Sequence, residues 1–290
     1  MKYYVEHVLS LNNGLGESPL WHVSEQALYW INHPDAQFFK FIPATGDYEI
    51  FQLEDKPGCM AFQETGELIM ATTKGLGIWK GGQLHYLKNA AYNPPARFND
   101  GAVDWQGRFW AGTASDTFTN HLYRLDHDGG VQIMESGVSI SNGIGWSPDS
   151  KTMYYSDSGG AGIVYAYDFD PATGAIDNRR TFLPPTGTSA VADGLTVDSE
   201  GCIWTAYWDG WKIARYDPGG QLMAEIKMPV QRPTSCMFGG PALDELYITS
   251  ASIDIDKNEQ PLSGDLFKIK TDVKGLPEPI AKINAQAIAP

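Results

Sequence analysis

The chain has 290 residues, 42% of them hydrophobic, enough apolar surface for one sizeable core. Its 35 acidic residues outnumber 21 basic ones, and the formal charge of −14 repels phosphate backbones and anionic lipid headgroups. Neither nucleic acid nor a membrane is therefore expected as a partner.

The opening, MKYYVEHVLSLNNG, carries Glu6 and no continuous apolar stretch, so it does not read as a secretory leader. No window approaches the roughly 18 uninterrupted apolar residues of a membrane-spanning helix. Three cysteines, Cys59, Cys202 and Cys236, form no C-x-x-C pair and leave an odd thiol, which fits a reduced compartment. These features predict a soluble, cytoplasmic protein.

After a strand-like stretch from Tyr3 to Leu11, six segments share one layout: a short apolar strand, a polar turn and a second strand rich in aromatic and β-branched residues. In chain order they read SPLWHVSEQALYWIN, CMAFQETGELIMATT, GAVDWQGRFWAGT, GIGWSPDSKTMYYSD, GLTVDSEGCIWTAYW and CMFGGPALDELYITS. Glu64-Thr65-Gly66, Gln106-Gly107, Pro148-Asp149-Ser150 and Ser199-Glu200-Gly201 are tight-hairpin turns by composition. Alternating strands follow in most units, as in His121–Leu125, Ile163–Tyr167, Lys212–Tyr216 and Asp265–Ile269.

Taking the residue four positions before Trp21, Phe62, Asp104, Trp146, Val197 and Phe238, which take equivalent places in the first strands, gives the column Glu17, Gly58, Asp100, Asn142, Asp193 and Thr234. The intervals are 41, 42, 42, 51 and 41 residues, and inserted turns near Thr173-Gly174 and Pro184–Gly187 account for the long one. Four strands in roughly 40–45 residues is the period of a propeller blade. The expected fold is all-β: a six-bladed β-propeller of four-stranded blades around a central channel, one domain over 1–290. The N-terminal strand would pair with the last blade, closing the ring and removing its edges.

In a propeller the innermost strands converge on one axis, so the column side chains should meet in a ring. Glu17, Asp100, Asn142 and Asp193 are hard oxygen donors suited to Ca²⁺, Mg²⁺, Mn²⁺ or Fe²⁺, and carboxylates also take Zn²⁺. Each alone could equally begin a strand by bonding loop amides; four in one column favour a site for one divalent metal ion. Arg97 and Asn99 lie beside the ring, with a planar fork and an amide suited to polyol or carboxylate oxygens. Asp116, just beyond the strand Phe109–Thr113, is placed either to reach the same mouth or to serve only as a surface-loop residue. His33 is the one histidine near the first blade's contribution, whereas the others lie by turns. No H-E-x-x-H pair, G-x-S-x-G elbow or phosphate-binding loop occurs. The tryptophans and tyrosines read as blade packing.

At these residues the sequence resembles the senescence marker protein/gluconolactonase/regucalcin-like family. The matching stretches are GLGESPLWH (14–22), RFNDGAVDWQGRFWAGT (97–113), SISNGIGWSPDSKTMYYSDS (139–158), ADGLTVDSEGCIWTAYW (192–208) and TSCMFGGPALDELYITSA (234–251), with 254–269 like the family's final hairpin. The resemblance implies a six-bladed propeller that hydrolyses aldonolactones with one divalent cation. It makes Glu17, Asn142 and Asp193 the metal ligands and Arg97 and Asn99 the residues that bind the sugar lactone. Where such proteins carry Glu after the A-G-T stretch, this chain has Ser115-Asp116, so substrate choice does not carry over.

The expected activity is hydrolysis of a sugar lactone in carbohydrate catabolism, with Asp193 as general base and Arg97, Asn99 and Asp116 holding the substrate. Two alternatives stand beside it: a metal-binding propeller without catalysis, and an esterase or phosphotriesterase on the same frame. The partner is a small molecule, and the chain is expected to be a monomer or weak homo-oligomer.

Overall fold

The computed structural model describes residues 3–87, 96–115, 117–160 and 162–284. Among these the regular structure is all strand, in six antiparallel four-stranded sheets. The innermost strands, one per blade, are Gly16–His22 (blade I), Pro57–Phe62 (II), Arg97–Val103 (III), Ser141–Trp146 (IV), Val191–Val197 (V) and Pro233–Gly239 (VI). Each packs on the next around the ring, and the first packs on the last. The molecule is a six-bladed β-propeller.

Val5–Leu9 pairs antiparallel with Leu266–Lys270 as the outermost strand of blade VI. The two ends of the chain thus complete one sheet, with no exposed edge on the ring itself. Across the closure, Thr234 Oγ1 donates to the Gly16 carbonyl at 2.6 Å.

The turns follow the local sequence. Gly66, Gly107, Ser150 and Gly201, the last residues of the four hairpin turns, all have positive φ, between 57° and 92°. Blade IV has the longest outer hairpin, Ile163–Asp170 and Ala175–Leu183, turning at Thr173-Gly174, which with residues 184–190 makes up the long interval. Between blades the core is aromatic. Trp30, Trp110 and Trp204, on second strands, are fully buried, and their indole N–H groups donate to Asn13, Asp104 and Asp198.

The innermost strands share an irregularity that builds the site. In every blade the ladder to the second strand skips: between Glu17 and Leu20, Pro57 and Cys59, Phe98 and Gly101, Ser141 and Ile144, Ala192 and Leu195, and Pro233 and Cys236. Such bulges break the two-residue alternation and re-aim side chains. Counted from the last paired residue before each skip, Ser18, Gly58, Asn99, Asn142, Asp193 and Thr234 are equivalent.

This corrects the expected column at two positions. Asn99, not Asp100, is the counterpart of Asn142 and Asp193, and a one-residue slip sends a strand side chain to the opposite face. In blade I, Ser18 takes the equivalent place at φ +49° and donates its N–H to Glu17 Oε2 at 2.9 Å. Gly58 is required because a Cβ there would lie 2.3 Å from the Phe98 carbonyl oxygen.

The C-terminal segment crosses the far end of the channel. Gly275 bridges to Asp198, Ala281 pairs with Gln63, and Lys282 N–H donates to Gly107. Residues 276–279 line a chamber there. Among the described residues the near end stays open.

Candidate active site

At the open end lies a cavity of about 360 Å³ that receives Glu17, Asn142 and Asp193 from three innermost strands. Arg97 and Asn99 line it too, and Leu15, Ile140, Val191 and Trp208 give it an apolar wall. The bulges in blades III, IV and V place Asn99, Asn142 and Asp193 in it together. Glu17, Asn142 and Asp193 are all buried.

A continuous set of hydrogen bonds orients the amides. An Arg97 Nη1–H donates to Asn99 Oδ1, and Asn99 Nδ2 donates to Asn142 Oδ1 at 2.8 Å and to the Ser141 carbonyl at 2.7 Å. Asn142 Nδ2 donates to Ser158 Oγ at 2.7 Å, and the Ser158 hydroxyl donates to the Ala192 carbonyl, next to Asp193. With its N–H pointing at Ser158, Asn142 keeps its oxygen on the side of Asn99 and the cavity. Asn99 therefore links the Arg97 guanidinium to Asn142 rather than standing alone.

The carboxylates are in tension. Burial, and then repulsion from Asp193 and Asp100, pushes the Glu17 carboxyl well above its ordinary range. Asp193 is raised likewise by burial and by Asp100, with Arg97 opposing. Asp100 is raised by burial to about 6, although Gly101 N–H and Ser18 Oγ–H both donate to it. Arg97 is the one guanidinium opposing the shifts of Glu17 and Asp193, while Asp100 behind them adds repulsion, so these buried acids are short of positive charge.

Two carboxylates and an outward amide oxygen are a donor set that fits a hard divalent cation, whose charge would relieve this repulsion. Among the described residues no three His, Cys, Asp or Glu side chains cluster as a metal site. The set here instead counts Asn142 as its third oxygen.

The other expected residues fall as follows. Asp100, with Ser18, lines the chamber toward the C-terminal segment, not the open cavity. His33 does not line the open cavity. Its Nδ1 lies 2.8 Å from the Pro57 carbonyl, and burial together with Arg97 pushes its pKa down to about 4. Asp116 lies outside the described residues. The three cysteines are buried and unpaired.

Sequence reasoning missed Ser158, Trp208 and Asp209, all on the cavity wall. Ser158 was visible as part of the S-D-S run after the second strand of blade IV; Trp208 and Asp209 follow the matched A-Y-W stretch.

Residues 15–252 match the model of the SMP-30/gluconolactonase/LRE-like region. The chain is 37% identical to a 6-deoxy-6-sulfogluconolactonase of Pseudomonas putida over 92% of its own length and 94% of that protein. It is 34% identical to the pentonolactonase XacC of Haloferax volcanii, covering 94% of this chain and 97% of the other. The solved structure of a calcium-binding protein, regucalcin, from Agrobacterium tumefaciens superposes with a TM-score of 0.90 at 26% identity, over 96% of this chain and 97% of that one. No helix among the described residues is long and apolar enough to cross a membrane. On this match and these relatives, the chain belongs to the SMP-30/gluconolactonase/LRE-like family.

Proposed function

We propose that this protein is a metal-dependent lactonase that opens a sugar lactone to its aldonic acid. The observation that carries the reading is the convergence of Glu17, Asn142 and Asp193 with Arg97 and Asn99 in one open cavity. It is supported by relatives named as lactonases and, for the cation, by a neighbour named as calcium-binding.

Glu17, Asn142 and Asp193 would hold the cation, which when bound supplies a Lewis acid at the lactone carbonyl. Asp193 takes the proton of the attacking water and returns it to the ring oxygen as the ring C–O bond breaks. Arg97 directs its charge-assisted N–H groups at the ring hydroxyls, while Asn99 holds both Arg97 and the Asn142 oxygen in place. The apolar wall, Trp208 in particular, suits the C–H face of a sugar ring.

A panel of sugar lactones, an aryl ester and a phosphotriester, followed with a pH indicator with and without chelator, tests the reading. Lactone hydrolysis that stops on chelation and returns with added divalent ion is expected. Full activity in a demonstrably metal-free sample would overturn metal dependence, and turnover of the ester or phosphotriester alone would overturn the substrate class.

Arg97→Ala should lower kcat/KM by about 1.5–3 kcal/mol, the loss of a hydrogen bond to a charged group, with the metal retained. Metal content by elemental analysis and lactone kinetics are the two readouts. Loss of metal would make Arg97 a buttress of the Asn99–Asn142 link instead.

A further inference from the structure

A third carboxylate lines the substrate cavity from its rim. Asp209 follows Trp208 in the turn between the second and third strands of blade V, and it lines the same cavity as Glu17 and Asp193. Trp208 pairs with Val191, two residues before Asp193. This places Asp209 toward the open mouth, outside the cluster of Glu17, Asn142 and Asp193. The turn is built tightly, since Asp209 and Trp211 both have left-handed φ, +54° and +57°, on either side of Gly210.

The Asp209 carboxylate is held from one side only. Arg232 Nε donates to Oδ1 at 2.6 Å and Gln231 Nε2 donates to the same oxygen at 2.8 Å. Arg232 is itself fixed, with its guanidinium 4.4 Å from the centre of the Trp208 ring and Nη1 donating to the Ile253 carbonyl at 2.6 Å. Gln231 is locked in turn by two hydrogen bonds with Gln260. Among the described residues both bonds to this carboxylate fall on Oδ1, which leaves Oδ2 as an acceptor for a cavity ligand.

We infer that Asp209 is a specificity-determining residue that accepts a hydrogen bond from a lactone hydroxyl remote from the carbonyl and repels lactones carrying an anionic group there. This rests on the lactonase reading. With the carbonyl directed to Glu17, Asn142 and Asp193, the distal substituent of the sugar points to the mouth where Asp209 sits. A fixed carboxylate rewards a hydroxyl and penalises a carboxylate or sulfonate, so it selects in both directions. Arg232 offsets part of that charge but is itself committed to Asp209, Trp208 and Ile253.

The test compares the protein with Asp209→Asn on three substrates: gluconolactone, its 6-deoxy analogue, and the lactone bearing a 6-carboxylate. Asn can still accept from Arg232 and Gln231 at Oδ1, but it presents N–H where Oδ2 was. The variant should lose about 10- to 100-fold in kcat/KM on gluconolactone, change little on the 6-deoxy substrate, and gain on the 6-carboxylate.

Equal losses on all three would reduce Asp209 to a loop clamp and overturn the inference while the lactonase reading stood. Binding of a non-hydrolysable cyclic polyol, measured by calorimetry, separates the two claims. If the protein hydrolyses no lactone but binds the polyol, and Asp209→Asn weakens that binding about 10-fold or more, the recognition role survives without the lactonase reading. Undiminished polyol binding by the variant would overturn it.

Discussion

Replacing Asp193 by Asn is expected to cut kcat about 10²–10⁴-fold at saturating metal while the propeller stays folded, because general-base assistance is worth about that much. The side chain is isosteric, and its strand position is set by the blade V bulge and by Gly194, where a Cβ would lie 2.1 Å from Ser235 Oγ. An amide oxygen can still face a cation, so affinity should weaken without vanishing. What is lost is an acceptor for the proton of the attacking water.

The informative control is Asp100→Asn. Asp100 lies in the same bulge system, but its carboxylate faces the far chamber, bonded to Ser18 and Gly101. It should keep kcat within a few-fold. Kinetics at saturating divalent ion, with far-UV circular dichroism for folding, read both variants. A near-normal kcat in Asp193→Asn would move the base elsewhere, and a collapse in Asp100→Asn would place it there.

Most of the architecture was legible because it repeats. Turn residues able to adopt positive φ, such as Gly66, Gly107 and Gly201, recur near the same point of each unit, and buried tryptophans recur on the second strands. The register within a unit was not legible. A column drawn four residues before Asp104 put Asp100 level with Asn142, yet strand pairing makes Val103, not Asp104, the counterpart of Trp146, which brings Asn99 to that place. Spacing to a landmark one residue off moves the column to the opposite face of the strand, and only the strand pairing shows which residue is level.

Asp209 was hidden for a different reason. Nothing local marks it, and its role depends on Gln231 and Arg232, more than twenty residues later, folding back onto one of its oxygens. The closing of the far end by residues 275–282 is equally non-local, since those contacts join the end of the chain to blades II, III and V.

The metal-free protein should be more stable near pH 5 than near pH 8, the reverse of what paired surface carboxylates would give. Glu17, Asp193 and Asp100 are all raised in the folded state, Asp100 from an ordinary value near 4 to about 6. Between those values the folded chain binds more protons than the unfolded one, so stability falls as pH rises through the folded pKa. The window opens near pH 4 and extends past 6, because Glu17 and Asp193 are pushed up further by burial and mutual repulsion. Between pH 5 and pH 8 Asp100 alone would account for about 1.4 kcal/mol, or about 2 °C in Tm for a chain of this length. A divalent ion at Glu17, Asn142 and Asp193 favours the ionised carboxylates, so its addition at pH 8 should restore the lost stability and do little at pH 5. Thermal unfolding of chelated and metal-loaded samples across this range reads both effects. A metal-free Tm that rose steadily from pH 5 to 8 would mean these acids are already neutralised by protein groups, and the case for a cation among them would fail.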